Sequence, residues 1–109
     1  MRGIGTDIVE IDRVRKALSD NFMRRVLSSQ ELELCAEYRK ERQIEFVAGR
    51  FAAKEAIIKA LADFESPNMK ELNITNNVFG KPEITYKDYT ILLSISHEKN
   101  YAIAFAVLE

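Results

Sequence analysis

The sequence predicts an α+β fold in which helices pack on a small, mostly antiparallel β-sheet. Residues 12 to 64 carry apolar side chains at helical spacing, whereas the chain from residue 72 onward alternates with a period of two. The 109 residues are 47% hydrophobic and 30% charged, as is typical of a globular protein with one modest core. No repeat, linker or composition break divides the chain, so we expect a single domain over residues 1–109.

Five segments are predicted to be strands. The first is RGIGTDIVEI, where an extended backbone would place Gly3, Gly5, Asp7 and Val9 on one side. The other four candidates are LNITNN, KPEITY, TILLSIS and YAIAFAVLE. The turns FGKP and HEKN separate them, and HEKN predicts a hairpin between the last two strands.

Helices are predicted between the first strand and the later ones. DRVRKALSDNFMRRVLS is expected to form one helix with Asp12 as its cap. The segment from Ser28 to Phe64 is expected to form one or two more, beginning at Ser28 or Ser29. Gly49 within it indicates a bend or a close contact.

The last predicted strand is apolar on both sides. Tyr101, Ile103, Phe105 and Val107 point one way, and Ala102, Ala104, Ala106 and Leu108 the other. Either a second subunit covers one face of this strand, or the strand is buried inside one chain.

Several classes of protein are disfavoured. The first twelve residues carry three acids and no sustained apolar run, and YAIAFAVL is too short to cross a bilayer, so we expect a cytoplasmic protein. Cys35 is the only cysteine and is expected to be a small buried residue. A pI near 5.9 argues against non-specific nucleic-acid binding.

Glu55 is an acid on a predominantly apolar helix. Its neighbours one turn away are Phe51, Ala52, Ile58 and Lys59. A buried carboxylate is costly unless it is paired or bound to a cation. Glu55 therefore either forms an ion pair with Lys59 on a half-exposed face or binds a metal ion.

Asp7 presents the same choice, because it lies late in an apolar strand beside two glycines. It is either a turn or capping residue before the first helix or a second ligand of the same metal. Two carboxylates with open positions suit Mg²⁺, which takes its remaining ligands from water and substrate phosphates. We therefore expect Asp7 and Glu55 to converge on one Mg²⁺ ion.

Basic side chains surround Glu55 in the sequence: Arg50, Lys54 and Lys59, with Lys81 farther on. They are either a solvated helix face or ligands of phosphates bound to the metal. His97, the only histidine, is either structural or part of that site. The chain has no Walker loop, dinucleotide fingerprint or nucleophilic triad.

The order of four segments resembles one family. GIGTDIVEIDRV, EFVAGRFAAKEAIIKAL, GKP and SISHEKNYAIAFAV occur here as in holo-(acyl-carrier-protein) synthases, the small bacterial 4′-phosphopantetheinyl transferases. The resemblance covers nearly the whole chain and implies the fold of that family and a homotrimer with active sites at subunit interfaces. It also implies transfer of 4′-phosphopantetheine from coenzyme A to a serine of apo-acyl carrier protein, in support of fatty acid biosynthesis.

The resemblance further implies roles for single residues. Asp7 and Glu55 match the Mg²⁺ ligands, and Lys59, with Arg50 and Lys54, is expected at the phosphates of coenzyme A. Lys81 and His97 are expected on the nucleotide side of the pocket. The base that takes the serine proton is expected to be Glu55 or a metal-bound water held by Asp7 or Glu55.

A cluster of basic residues is expected to receive the acidic carrier protein. Arg13 matches the carrier-docking arginine of the family, and Arg24 and Arg25 are expected to assist it.

One segment departs from the family pattern. Many members have a glycine-rich turn where this chain reads LADFESPNM, with Asp63 and Glu65, so we expect this loop to follow another path. Two other functions remain open: a non-catalytic module that binds acyl carrier protein or coenzyme A, and a structural oligomerisation domain without a ligand. Only the enzyme requires Asp7 and Glu55 to share an open cleft.

Overall fold

The computed structural model describes residues 1 to 109 and confirms the predicted α+β class. All strand pairs are antiparallel, and the sheet has the order β1-β5-β4-β3-β2. The strands are β1 (Gly3–Glu10), β2 (Ile74–Asn76), β3 (Pro82–Tyr86), β4 (Tyr89–His97) and β5 (Tyr101–Leu108). Each of the five predicted strands is present.

The last strand occupies a central position in this sheet. β5 pairs with β1 from Gly3 opposite Leu108 to Glu10 opposite Tyr101, and with β4 on its other side. The predicted hairpin at HEKN joins β4 to β5, and its turn is held by the Glu98 carboxylate, which accepts hydrogen bonds from the backbone N–H groups of Asn100 and Tyr101.

Four α-helices precede β2: α1 (Ile11–Ala17), α2 (Asp20–Val26), α3 (Ser29–Ala36) and α4 (Lys40–Ala60). A short 3-10 helix, Met69–Glu71, lies between α4 and β2. The single helix predicted over DRVRKALSDNFMRRVLS is wrong, because the chain is extended at Leu18 and Ser19. The Ser19 hydroxyl caps α2 by accepting from Phe22 N–H, a local bond that competes with continuation of α1. The cap assigned to Asp12 is also wrong, since Glu10 holds that position and Asp12 pairs with Lys16.

The predicted start at Ser28 is confirmed. Its hydroxyl accepts from Glu31 N–H, and the Glu31 carboxylate accepts from Ser28 N–H, which is a capping box. α4 runs without a break through Gly49, where an added Cβ would be 3.5 Å from the Ile95 side chain. The expected bend or close contact at Gly49 is therefore absent.

α4 packs along one face of the sheet and forms most of the core. Its small residues Ala52, Ala53 and Ala56 are fully buried against the alanine side of β5. The opposite face of the sheet is bare in the single chain and includes large apolar side chains that are 44–61% exposed: Ile4, Ile8, Leu92, Tyr101, Ile103 and Phe105. The alternative that β5 is buried on both faces within one chain is therefore wrong.

Two smaller expectations concern Cys35 and membranes. Cys35 is buried, as predicted, and burial raises the pKa of its thiol. None of the helices combines the length and the apolar character that a bilayer-crossing segment requires.

Candidate active site

The backbones of β1 and α4 are in direct contact at two glycines. A Cβ on Gly5 would lie 1.9 Å from the carbonyl oxygen of Ala56, and one on Gly3 would lie 2.0 Å from that of Ala60. Only glycine permits this approach. Asp7 is the next residue on the same side of β1, and Glu55 precedes Ala56 on α4. The close approach of strand and helix therefore places Asp7 near Glu55.

Asp7 and Glu55 line the same open cleft, which has a volume of about 710 Å³. We call it the Asp7 cleft. Its other lining residues are Ile8, Val9, Glu10, Arg13, Val14, Ala17, Phe22, Phe51 and Tyr101. The structure thus brings together two partly buried carboxylates in mostly apolar surroundings.

Lys59 belongs to this site through Asp7. Its Nζ donates to the carbonyl oxygen of Thr6 at 2.9 Å and lies 3.4 Å from Asp7 Oδ1. Lys59 therefore does not form the ion pair with Glu55 that the sequence left open, and Glu55 has no cationic side chain within 4 Å. The other alternative for Asp7 is also wrong, because Asp7 lies inside β1 and does not cap α1.

The three arginines that were expected to dock the carrier protein differ in placement. Arg13 lines the Asp7 cleft, is exposed, and has no acidic side chain within salt-bridge distance. Its neighbour Arg15 is held by Glu41 in a bidentate pair. Arg24 and Arg25 are exposed on α2 outside the cleft, with Arg24 bonded to Asn21.

The assignment of Lys54 to phosphates needs correction. Its side chain is completely buried, and Nζ bonds to Glu31 Oε1 and to the carbonyl oxygen of Val26. One helical residue turns a side chain by about 100°, so Lys54 points away from the cleft that Glu55 faces. Burial lowers the pKa of Lys54, while the Glu31 carboxylate opposes that shift.

Arg50 is also absent from the Asp7 cleft. It lines a second, smaller cleft of about 230 Å³ with His97, which we call the Arg50 cleft. The other residues there are Arg42, Glu45, Phe46, Gly49, Asn76, Gly80, Pro82 and Ile95. Arg50 and His97 therefore share a cleft that does not include Glu55. Lys81 is exposed and does not line this cleft, although its chain neighbours Gly80 and Pro82 do.

The glycine-free loop is tied to the far end of the sheet. The Glu65 carboxylate accepts hydrogen bonds from Lys87 Nζ and from the Tyr86 hydroxyl, in and before the β3–β4 turn. Neither Asp63 nor Glu65 lines the Asp7 cleft, which agrees with the expectation that this loop follows another path.

The Asp7 cleft fits a divalent ion of the kind predicted. Three acidic side chains line it: Asp7 and Glu55, which are partly buried, and Glu10, which is exposed. Asp7 and Glu55 offer oxygen ligands, and Asp7 already attracts a cation, Lys59. No group of three or more His, Cys, Asp or Glu side chains is arranged to hold a metal by itself. Such an open ligand set suits Mg²⁺ that shares its coordination with a phosphate-bearing substrate.

Sequence reasoning missed one group of buried polar residues. Glu31 is 2% exposed and contacts both Lys54 and Arg50. The S-x-x-E pattern from Ser28 indicated its capping role, but nothing local to Glu31 indicated partners 19 and 23 residues away. The apolar lining from Phe22, Phe51 and Tyr101 was missed for the same reason.

Comparison with known proteins gives one consistent family. A family model described as the 4′-phosphopantetheinyl transferase superfamily matches residues 3–106. The chain is 41% identical to the holo-[acyl-carrier-protein] synthase of Bacillus cytotoxicus, over 98% of this chain and 94% of that protein. It is 44% identical to the protein of the same name from Ehrlichia chaffeensis, over 97% and 94% of the two chains.

Solved structures agree with these relatives. The holo-(acyl-carrier-protein) synthase of Bacillus anthracis, in complex with CoA (3′,5′-ADP), superposes with a TM-score of 0.90 at 41% identity, over 99% of this chain and 96% of that one. The synthase of Helicobacter pylori in complex with coenzyme A has a TM-score of 0.82 at 31% identity, over 97% and 99%.

Proposed function

The chain belongs to the 4′-phosphopantetheinyl transferase superfamily, and from that premise we propose that it is a holo-(acyl-carrier-protein) synthase. It transfers the 4′-phosphopantetheine group of coenzyme A to a serine of apo-acyl carrier protein and releases adenosine 3′,5′-bisphosphate. The observation that carries this proposal is the cleft shared by Asp7 and Glu55, in a chain that aligns with such synthases over almost its whole length. Residues 1–109 act as one domain, in the cytoplasm and in support of fatty acid biosynthesis.

The reaction exchanges one phosphorus–oxygen bond for another. The serine oxygen bonds to the β-phosphorus, the bond from that phosphorus to the departing bisphosphate breaks, and the serine proton leaves. Glu55 receives this proton, because it faces the cleft and has no cationic partner, whereas Asp7 is paired with Lys59. Lys59 is half-exposed beside Asp7 and can turn its ammonium group to the negative charge that grows on the phosphoryl oxygens.

Asp7 and Glu55 are also the residues that would hold Mg²⁺. When bound, the ion would supply Lewis-acid stabilisation of the phosphoryl oxygens and fix the pyrophosphate in the cleft. The apolar lining would exclude water from the reacting groups and strengthen these electrostatic interactions.

The proposed enzyme is a homotrimer, and the bare face of the sheet favours such an assembly. The bare sheet face defined above carries six large apolar side chains that are 44–61% exposed, and a contiguous exposed apolar patch is typical of a protein–protein interface. Ile8 and Tyr101 belong both to that face and to the lining of the Asp7 cleft, so a subunit that covers the face would border the cleft. Self-association therefore supports active sites at subunit interfaces.

The two clefts suggest how the subunits cooperate. Arg50 precedes Glu55 by five residues, which on a helix places the two side chains about 140° apart. The Arg50 and Asp7 clefts share no lining residue. In our proposal the Arg50 cleft of one subunit, with His97 and Lys81, holds the nucleotide of coenzyme A whose pyrophosphate lies in the neighbour's Asp7 cleft.

The carrier protein is proposed to dock beside the Asp7 cleft. Arg13 lies at that cleft without an acidic partner, and Arg24 and Arg25 extend the basic surface along α2. These charges would raise the association rate and orient the acidic carrier so that its serine enters the cleft.

The test is incubation with apo-acyl carrier protein, coenzyme A and Mg²⁺, followed by intact-mass measurement of the carrier. We expect the mass of one phosphopantetheine group to be added, at a serine. A protein that binds the carrier or coenzyme A but adds no mass to any of several carriers would be a non-catalytic binding module instead.

Mixing Glu55→Gln and Arg50→Ala subunits tests whether two subunits share one active site. Activity should reappear in mixed trimers and stay absent in each variant alone.

A further inference from the structure

A buried ionic network lies between α3, α4 and β2. The Glu31 carboxylate is at its centre and accepts hydrogen bonds from Ser28 N–H at 2.8 Å, Ile74 N–H at 3.0 Å and Lys54 Nζ at 2.5 Å. Arg50 Nε lies 3.4 Å from Glu31 Oε2, an ionic contact, and forms no hydrogen bond of its own. Every side chain of this ionic group is at least 92% shielded from solvent.

The capping role of Glu31 does not explain its charge. A glutamine at the third helical position completes a capping box as well as a glutamate does. Only a carboxylate can attract both Lys54 and Arg50, and an unpaired buried cation is strongly disfavoured. The charge of Glu31 therefore serves its two cationic partners.

Arg50, which Glu31 holds in place, also contacts residues that line the Arg50 cleft. Its guanidinium lies 4.5 Å from the centre of the Phe46 ring, and Nη2 donates to Asn76 Oδ1 at 2.8 Å. Asn76 Nδ2 in turn donates to the carbonyl oxygen of Gly80 at 2.8 Å. One chain of contacts thus runs from Glu31 through Arg50 and Asn76 to the turn that carries Lys81.

We infer that Glu31 is a positioning residue for the Arg50 cleft: it holds the guanidinium of Arg50 in place and, through Asn76, fixes the β2–β3 turn. The inference rests on the proposed function, in which this cleft holds the nucleotide of coenzyme A. Glu31 itself touches no substrate. Its effect is to present one cation and one turn in a fixed geometry, so that coenzyme binding does not have to order them.

The first test is Glu31→Gln, which keeps the cap and removes the charge. We expect the KM for coenzyme A to rise about tenfold, as for loss of one charge-assisted contact, with kcat within about threefold and the KM for the carrier unchanged. Calorimetric binding of adenosine 3′,5′-bisphosphate, measured without carrier, should weaken by the same factor. An unchanged KM and an unchanged bisphosphate affinity would overturn the inference.

Lys54→Met is the matched control. It removes the other cation from Glu31 and leaves the contact with Arg50, so bisphosphate affinity should stay within about twofold even where the melting temperature falls. A loss as large as that in Glu31→Gln would overturn the inference, because it would assign the effect to general loosening of the network.

The double variant Glu31→Gln/Lys54→Met distinguishes an effect on the position of Arg50 from an effect of unbalanced buried charge. It removes one anion and one cation, so the excess of buried positive charge is the same as in the wild type. A merely structural role predicts that binding recovers with stability. Our inference predicts that the tenfold loss persists, because Arg50 still lacks its partner.

A further variant keeps the test valid if Glu31→Gln fails to fold. Asn76→Ala removes an exposed side chain between Arg50 and Gly80, and should weaken bisphosphate binding about three- to tenfold in a folded protein. Wild-type affinity in Asn76→Ala would overturn the inference. A wild-type protein that binds no bisphosphate would instead defeat the proposed function, so the two failures are distinguishable.

Discussion

Gly5 and Ala56 are in backbone contact: a Cβ added to Gly5 would lie 1.9 Å from the carbonyl oxygen of Ala56. This contact sets the distance between β1 and α4, and with it the position of Asp7 relative to Glu55. The candidate site therefore depends on the absence of a side chain two residues before the first of its carboxylates.

Gly5→Ala should separate the strand from the helix. We expect it to lower the free energy of unfolding by about 1–3 kcal/mol or more, since the clash is with backbone atoms that cannot rotate away. Urea denaturation measures this. Gly49→Ala is the control, because its Cβ would meet Ile95 at an ordinary 3.5 Å and a helical alanine is favoured by up to about 1 kcal/mol. Equal stability of the two variants would contradict our account of the contact.

Glu55→Gln should abolish transfer without unfolding the protein. Loss of the proposed base and of one proposed metal ligand is expected to reduce kcat by at least about a hundredfold, measured by the mass of the carrier over time. Glu83→Gln removes an exposed carboxylate on β3 and should keep normal turnover. Normal turnover in Glu55→Gln would remove Glu55 from its assigned role.

Arg13→Glu should impair use of the carrier and spare the coenzyme. The reversed charge beside the Asp7 cleft is expected to raise the KM for the carrier about tenfold or more and to reduce the salt dependence of kcat/KM. Lys40→Glu, at the exposed first residue of α4, controls for net charge. If the KM values for carrier and coenzyme rise equally, Arg13 does not belong to the docking surface.

Phe105→Asp should dissociate the proposed trimer. Phe105 is 45% exposed on the bare sheet face, so a charge there costs little in the isolated chain but would be buried in an assembly. Sedimentation should show trimers for the wild type and monomers for the variant, with activity lost alongside. A variant that stays trimeric would place the interface elsewhere.

Lowering the pH should remove the contribution of Glu65 to the free energy of unfolding. The hydrogen bond from Lys87 holds the pKa of the Glu65 carboxyl below its usual value of 4.5. The ionised form is therefore favoured by folding, and its contribution is present above pH 4.5 and lost as pH falls through the lowered pKa. Glu65→Gln should be less stable than the wild type at pH 7, and the difference should disappear in acid. A difference that grows on acidification would reverse the sign of the effect.

Much of this fold follows from local patterns. Alternation with period two marked all five strands, and the S-x-x-E signature marked the start of α3 at Ser28. Local signals failed at Leu18, where the helical spacing of apolar residues continues but the helix itself ends. There the Ser19 cap and packing against the rest of the chain outweigh the period.

The site divides in the same way. The sequence by itself determined that Asp7 and Glu55 are acids on apolar elements and that two glycines precede Asp7 in its strand. It also determined that Lys59 shares a helix face with Glu55. Only the tertiary structure decided that Lys59 pairs with Asp7, that Lys54 is buried on Glu31, and that Arg50 faces a second cleft. The physical reason is that a charged side chain takes the partner that the packed fold brings within reach, and in each of these cases that partner comes from a distant segment.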